Sequence, residues 1–271
     1  QEYGLSGTTL PPVRFTYQEG DPTWDAAISE LPTQSPSGIV VADINGDGLV
    51  DVLRRSPTET PAAWLNTGNG WLRNDAFAPP VDLSAEVQLV DVNGDGLMDI
   101  LHSAFNLYDP PTQNAWLNSG NGWAVAPEWI LPAAAVFSRG VEDMGTRVVD
   151  ISGDGLVDIV MSRNAKPHND NDDPVYSFGV WINNGNGWVE SQSWGSPPAI
   201  CDVVIQLGNG NQTQSKDLGV RFLDVNNDGL VDILKAAGGV RKAWINNGIN
   251  WVEQPGSPLV PPLDFVTAEG K

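Results

Sequence analysis

Four stretches of this chain set oxygen-bearing side chains at alternate positions around a glycine: DINGDGLVD from Asp43, DVNGDGLMD from Asp91, DISGDGLVD from Asp150 and DVNNDGLVD from Asp224. The chemistry this spacing suits is binding of a hard divalent cation. In the first loop the donors are Asp43, Asn45, Asp47, the Leu49 carbonyl and Asp51; in the second, Asp91, Asn93, Asp95, the Leu97 carbonyl and Asp99. The third offers Asp150, Ser152, Asp154, the Leu156 carbonyl and Asp158, and the fourth Asp224, Asn226, Asp228, the Leu230 carbonyl and Asp232. All-oxygen ligation around a loop curled by Gly48, Gly96, Gly155 or Gly229 fits Ca²⁺, whereas zinc would call for His or Cys. About four Ca²⁺ per chain are expected. Bare Asp/Asn/Gly turns are the rival reading, but turn chemistry does not ask for an Asp at the ninth position. Three carboxylates per loop would also repel one another without a cation.

An EF-hand would need a bidentate Glu at the twelfth loop position, where this chain has Arg54, His102, Met161 and Lys235. The flanks alternate as strands do, without helical periodicity. Each loop therefore joins two strands, as in VADINGDGLVDVL from Val41. Each is followed by a second element: AAWLNTGNGW, NAWLNSGNGW, GVWINNGNGW and KAWINNGINW. Asn69-Gly70, Asn121-Gly122 and Asn186-Gly187 are hairpin turns, while the last unit carries Ile249-Asn250 instead. A unit reads as four strands: Gly38 to Ala42, Leu49 to Leu53, Ala63 to Asn66, and one opened by Trp71. The shortest loop-to-loop interval is near the ~40–50 residues of one propeller blade.

The sequence predicts an all-β β-propeller of four-stranded blades with calcium-binding hairpin loops, with four clear repeats. Residues 1–38 are a lead-in segment with a candidate closing strand, 39–252 the repeats and 253–271 a tail or closing strand. The units lie near 39–78, 87–130, 146–195 and 220–252. Insertions lengthen unit two around Asn106 to Gln113 and unit three around Asn164 to Val175. A hairpin is added over 200–219, turning at Asn209-Gly210, and further weak blades are sought in 189–219 and at the chain ends.

Composition narrows the function classes. A net charge of −20, from 34 acidic against 14 basic side chains, argues against nucleic acid and anionic membrane partners. No run approaches the ~18 apolar residues of a membrane helix. Cys201 stands alone, so no disulfide framework exists within the chain, and metal is the expected staple. No secretory signal pattern opens the sequence, so the extracellular or cell-surface location expected of such loops would need one already removed or lying outside it.

Asp-x-Asn-Gly-Asp-Gly-Leu-x-Asp followed by Trp-x-Asn-x-Gly resembles the FG-GAP/VCBS repeats of integrin-α-like β-propellers, over about residues 39–252. The segment from Thr9 to Tyr17 (TLPPVRFTY), with Leu31-Pro32 leading into the first loop, resembles the approach to the propeller of SpvB/TcB/Rhs-type secreted toxin proteins. That likeness implies an interaction module beside an encapsulating shell, and a larger parent protein. Family propellers often have six or seven blades, more than the four units here.

No catalytic constellation stands out. His102 is expected to be strand or loop filler, and His168 lies in an acidic insertion (residues 164–173) that could hold a fifth cation. Cys201 reads as a buried small hydrophobe. Trp64, Trp71, Trp116, Trp123, Trp181, Trp188, Trp244 and Trp251 recur with the repeat and read as blade packing, with sugar stacking the sharper alternative. Trp24, Trp129 and Trp194 fall outside the motif and are the candidates for exposed contacts. Asn211-Gln212-Thr213 is one glycosylation sequon. The expected function is a non-enzymatic, adhesion- or toxin-like recognition module binding a protein partner or neighbouring domain. A calcium-dependent carbohydrate-binding lectin is the alternative, and a polysaccharide-active enzyme the second.

Overall fold

β-Branched and aliphatic side chains flank every acidic loop, and in the structure, a computed structural model, they form paired strands. It describes residues 38–105, 110–166, 175–205 and 213–267. All belong to the second of two compact units, Gln34–Lys271; the first, Gln1–Thr33, is outside the described residues. The lead-in segment through residue 37, Trp24, His168, most of the acidic insertion, the Asn209-Gly210 turn and Asn211 of the sequon are outside them too.

Sheet 1 contains β1 (Ile39–Ala42), β2 (Asp51–Arg54), β3 (Ala62–Asn66) and β4 (Trp71–Arg73), paired in that order. Sheet 2 repeats the meander with β5 (Val87–Val90), β6 (Asp99–Ala104), β7 (Thr112–Asn118) and β8 (Trp123–Val125). It adds β9 (Ser138–Arg139) and β10 (Glu142–Asp143). Sheet 3 has β11 (Thr146–Val149), β12 (Asp158–Lys166), β13 (Val175–Asn183) and β14 (Trp188–Glu190), then β15 (Cys201–Ile205) and β16 (Thr213–Asp217). Sheet 4 is β17 (Val220–Leu223), β18 (Asp232–Ala237), β19 (Val240–Asn246) and β20 (Trp251–Glu253). The all-β, propeller-like expectation holds: each four-stranded meander is one antiparallel blade.

Three details sharpen the sequence reading. The second strand starts at Asp51, not Leu49, because the Leu49 N–H is drawn into the loop by Asp47 Oδ1 at 2.8 Å. Among the described residues, the hairpin expected over 200–219 has strands Cys201–Ile205 and Thr213–Asp217, paired antiparallel, and is not a blade of its own. It extends sheet 3, where Cys201–Val204 pairs parallel with Arg163–Lys166 and antiparallel with β16. At the other end of the chain the PPLDFVTAE segment meets sheet 4, where Phe265 N–H donates to the Ala236 carbonyl and Val266 bridges Ala237 in parallel.

The core lies between consecutive sheets. Ile44, Leu53, Ala63, Phe77 and Leu83 of the first unit are covered by Leu89 and Trp123 of the second. Val92, Leu101, Trp129 and Phe137 meet Ile159, Met161 and Trp181 in the next layer. Ile151, Val180 and Trp194 meet Phe222 and Trp251 in the last. Burying each such Leu or Ile contributes about 1.5–3 kcal/mol, so face-to-face stacking of the sheets is what presents all four loops at the corresponding strand ends.

Candidate metal centres

Each loop is wound by its own acids. Asp43 accepts the Gly46 and Gly48 N–H groups at 2.8 Å each, and Asn45 Oδ1 accepts the Asp47 N–H at 3.0 Å. The second loop repeats this: Asp91 takes Gly94 and Gly96 at 2.7 and 2.8 Å, and Asp95 takes Leu97 at 2.9 Å. Asp150 takes Gly153 and Gly155 at 2.7 and 2.9 Å, and Asp154 takes Leu156 at 2.9 Å. In the fourth, Asp224 takes Asn227 and Gly229 at 2.6 and 2.9 Å, and Asp228 takes Leu230 at 2.9 Å. Positive φ at the fourth and sixth positions produces this curl, supplied by glycine except at Asn227, whose φ is 62°.

The Asn amides at position three each donate to the fifth-position carboxylate, Asn45 to Asp47 at 2.9 Å and Asn226 to Asp228 at 2.8 Å. Ser152 has no amide, and its hydroxyl turns to Asp150 Oδ1 at 3.4 Å. Asp51, Asp99, Asp158 and Asp232, the ninth-position acids, are wholly buried. Each accepts one N–H from the second loop residue and one from the third strand. For Asp99 these are Val92 at 3.0 Å and Asn118 at 2.7 Å. Ile44 and Asn66 serve Asp51, Ile151 and Asn183 serve Asp158, and Val225 and Asn246 serve Asp232.

Burial raises the pKa of all four ninth-position acids, taking Asp99 up to about 6, and the other loop carboxylates push the same way. The backbone N–H groups pull against that rise. Exposed Asp224 is held below its ordinary value by the N–H groups curled around it, Gly229 first. Among the described residues no group of three Asp, Glu, His or Cys side chains is disposed to hold a metal ion by itself. The loops offer mixed sets of carboxylate, amide or hydroxyl, and carbonyl oxygen. A carboxylate oxygen that accepts one N–H retains a further lone pair for a ligand.

The other candidates fall into place around this framework. His102 is buried, 3.4 Å from the Asn114 amide and 3.9 Å from Glu86. Burial lowers its pKa, partly offset by Glu86. Cys201 is buried beside Val136, Met144 and Val203, with its thiol pushed up to about 12. Trp129 and Trp194, expected as exposed contacts, are instead 2% and 5% exposed. Each receives a repeat tryptophan of the following unit: Trp188 packs edge-on against Trp129 at 5.4 Å, and Trp251 lies 4.9 Å from Trp194. An exposed stacked pair that the sequence reading missed is Tyr176 and Phe178, ring centroids 5.7 Å apart, on one face of β13. The Trp-x-Asn asparagines were also missed as site residues, although their fourfold recurrence was the signal.

Residues 43–102 match the FG-GAP-like repeat family. No curated protein matches the chain. Among solved structures the chain is similar to an Agrocybe aegerita lectin, described for specific recognition of non-reducing terminal N-acetylglucosamine, with 17% identity and a TM-score of 0.52. The match covers 81% of this chain and 52% of the lectin, so the chain spans about half the lectin's length. A Photorhabdus luminescens Tc holotoxin pore matches at 17% identity, covering 85% of this chain and 12% of that one, with a TM-score of 0.30 that is too low to place the fold. The stretch that matches the FG-GAP-like repeat family, residues 43–102, runs from the first acidic loop through the second.

Proposed function

We propose that the chain is a non-enzymatic, extracellular recognition module whose four loops each bind Ca²⁺ and whose partner is a protein or a neighbouring domain of the same assembly. One observation carries this reading: the same acid-wound, all-oxygen loop recurs at four strand ends, each time with a buried carboxylate pushed up by burial and by its loop neighbours. The donor set fits calcium. Asp43, Asn45, Asp47, the Leu49 carbonyl and Asp51, with their counterparts in the other loops, would hold the ion. Bound calcium would supply charge neutralisation and a cross-link between the two strands that each loop joins. The non-enzymatic reading is supported by the burial of His102 and Cys201, which leaves neither free to act on a substrate. Among the described residues no helix is long and apolar enough to cross a membrane.

The test is thermal unfolding in millimolar-range calcium against excess EGTA, with bound metal counted. A site filled at ~100 times its Kd adds about 2.7 kcal/mol if it binds only the folded chain. A large rise in Tm with about four ions per chain is expected. No shift and no bound calcium would overturn the metal reading.

A lectin is the second reading, favoured by the exposed Tyr176–Phe178 stack and by the lectin likeness in fold. Stacked rings at a surface suit the apolar face of a sugar. Binding on a glycan array that is lost in Tyr176→Ala and Phe178→Ala would establish it, and silence across the array would remove it.

A further inference from the structure

A single file of hydrogen bonds runs through all four acidic loops. In the first, the Ile44 N–H donates to Asp51 Oδ2 at 3.0 Å, and the Ile44 carbonyl accepts Asn118 Nδ2, from sheet 2, at 2.6 Å. The backbone N–H of the same asparagine donates to Asp99 Oδ1 at 2.7 Å, while Asp99 Oδ2 takes the Val92 N–H at 3.0 Å. The Val92 carbonyl accepts Asn183 Nδ2 at 2.7 Å, and the Asn183 N–H donates to Asp158 Oδ1 at 2.8 Å. Ile151 repeats the step, its N–H on Asp158 Oδ2 at 3.0 Å and its carbonyl accepting Asn246 Nδ2 at 2.8 Å. The Asn246 N–H ends the file on Asp232 Oδ1, at 2.8 Å.

The members of this file are buried. The three asparagines are at most 2% exposed, and Ile44, Val92, Ile151 and the four aspartates are 0% exposed. Each asparagine is also held in one orientation, because its Oδ1 accepts a hairpin N–H, from Gly120, Gly185 or Gly248, at 3.0, 2.8 or 2.8 Å. A buried amide left without its acceptor is costly, so the placing of one carboxylate fixes the carbonyl of the loop before it. A second contact runs alongside. Leu97, Leu156 and Leu230, whose carbonyls belong to the expected donor sets, lie over the fourth position of the preceding loop. A Cβ on Gly46, Gly94 or Gly153 would stand 3.0, 2.8 or 2.5 Å from their Cδ2 atoms. In loops two to four, two donor-bearing residues are thus tied to the loop before.

We infer that Asn118, Asn183 and Asn246 are positioning residues that couple the four loops, so that calcium in one loop raises the affinity of its neighbours. This coupling presupposes the calcium loops proposed above. Without a cation the carboxylates of a loop repel one another and pull against the bonds that hold them. A loop whose neighbour is filled has part of that ordering already done, and the saving is the coupling. Charge acts in the opposite sense, since a filled loop is less negative and draws the next ion less. Stacked sheets lie about 10 Å apart, beyond the ~8 Å Debye length at physiological salt. Salt therefore screens the charge effect and leaves the buried hydrogen bonds as they are.

Calorimetric titration of the full chain with calcium at physiological salt, with bound metal counted, tests this. The wild type should fill about four sites with a Hill slope above one. Asn183→Ala divides the file in the middle and should lower the slope and weaken calcium binding about fivefold or more, at an unchanged ion count. An asparagine with a purely structural role would lower the Tm in EGTA when replaced and leave the slope at its wild-type value. Asp95→Ala and Asp228→Ala keep all three asparagines and serve if Asn183→Ala does not fold. Loss of the ion at loop two, which the file joins to neighbours on both sides, should weaken the remaining sites more than loss at loop four, joined to one among the described residues. Equal effects of these two variants overturn the coupling. Wild-type loops that fill independently, with a slope of one, overturn it too and leave the calcium reading standing, whereas no bound calcium overturns both.

Discussion

Sheets 2 and 3 end differently at their two extremities. At the loop end, local hydrogen bonds from acid to backbone within nine residues set the shape, and the four units agree almost atom for atom. At the far end, β6 and β12 run past their first-strand partners and take up β9–β10 and β15–β16 in parallel register, where β18 has the single parallel bridge of Ala237 to Val266. What holds that end is distant in sequence. Glu142 accepts from the Ser215 N–H and hydroxyl, Asp143 N–H donates to Ser215 Oγ at 3.0 Å, and Arg147 grips Asp143 through both carboxylate oxygens at 3.0 and 2.6 Å. Beneath them Val136, Met144, Cys201 and Val203 form a small core. The loop end can thus be copied as a cassette, whereas the far end has to be solved once for each pair of neighbours.

Substitutions at the two ends should separate along that line. Asp99→Ala orphans two buried N–H groups, at about 1–3 kcal/mol each, and should lower stability with or without calcium. Asp95→Ala, at an exposed position, should cost its ion in calcium yet stay within about 0.5 kcal/mol of wild type in EGTA. Denaturant titrations of both variants in both buffers check this, and equal losses in EGTA would dissolve the distinction between structural and ligand carboxylates. Met144→Ala opens a cavity in the far-end core and should cost about 2–5 kcal/mol while leaving the bound-ion count unchanged. A lost ion would mean that the two ends are coupled.

The smallest effect concerns His102. Burial depresses its pKa below the ordinary 6.5, so the folded chain prefers the neutral ring. Its contribution is full above about pH 6.5 and is lost as the pH falls through the unfolded value towards the folded one. The difference in Tm between wild type and His102→Gln should therefore move against wild type between about pH 7.5 and 5.5, and a constant difference would remove the effect.

Much of this architecture could be read from the residues. The four Asp-x-Asn-x-Asp-Gly-x-x-Asp stretches and the Trp-x-Asn-x-Gly that follows each one specify strand, loop and hairpin through contacts a few residues apart. The family match over 43–102 falls on that same pattern. Other assignments were beyond the sequence. Trp129 and Trp194 sit outside the motif and suggested surface, yet they are the seats for the next unit's tryptophan, a contact made across a sheet boundary. The ninth Asp could be placed in the loop by spacing, but not as the buried acceptor that ties it to the third strand, because Asn118 lies nineteen residues beyond Asp99. The sequence suggested an added hairpin over 200–219, but not that its first strand pairs in parallel with β12 and so joins sheet 3.

The sequence by itself therefore determined the loops and the strand count of each blade, since hydrogen-bond geometry and glycine's access to positive φ operate over a handful of residues. Only the tertiary structure decided which tryptophans are buried and where the 200–219 hairpin pairs. Those properties depend on which surface comes to rest against which, and packing between sheets joins residues that no local spacing relates.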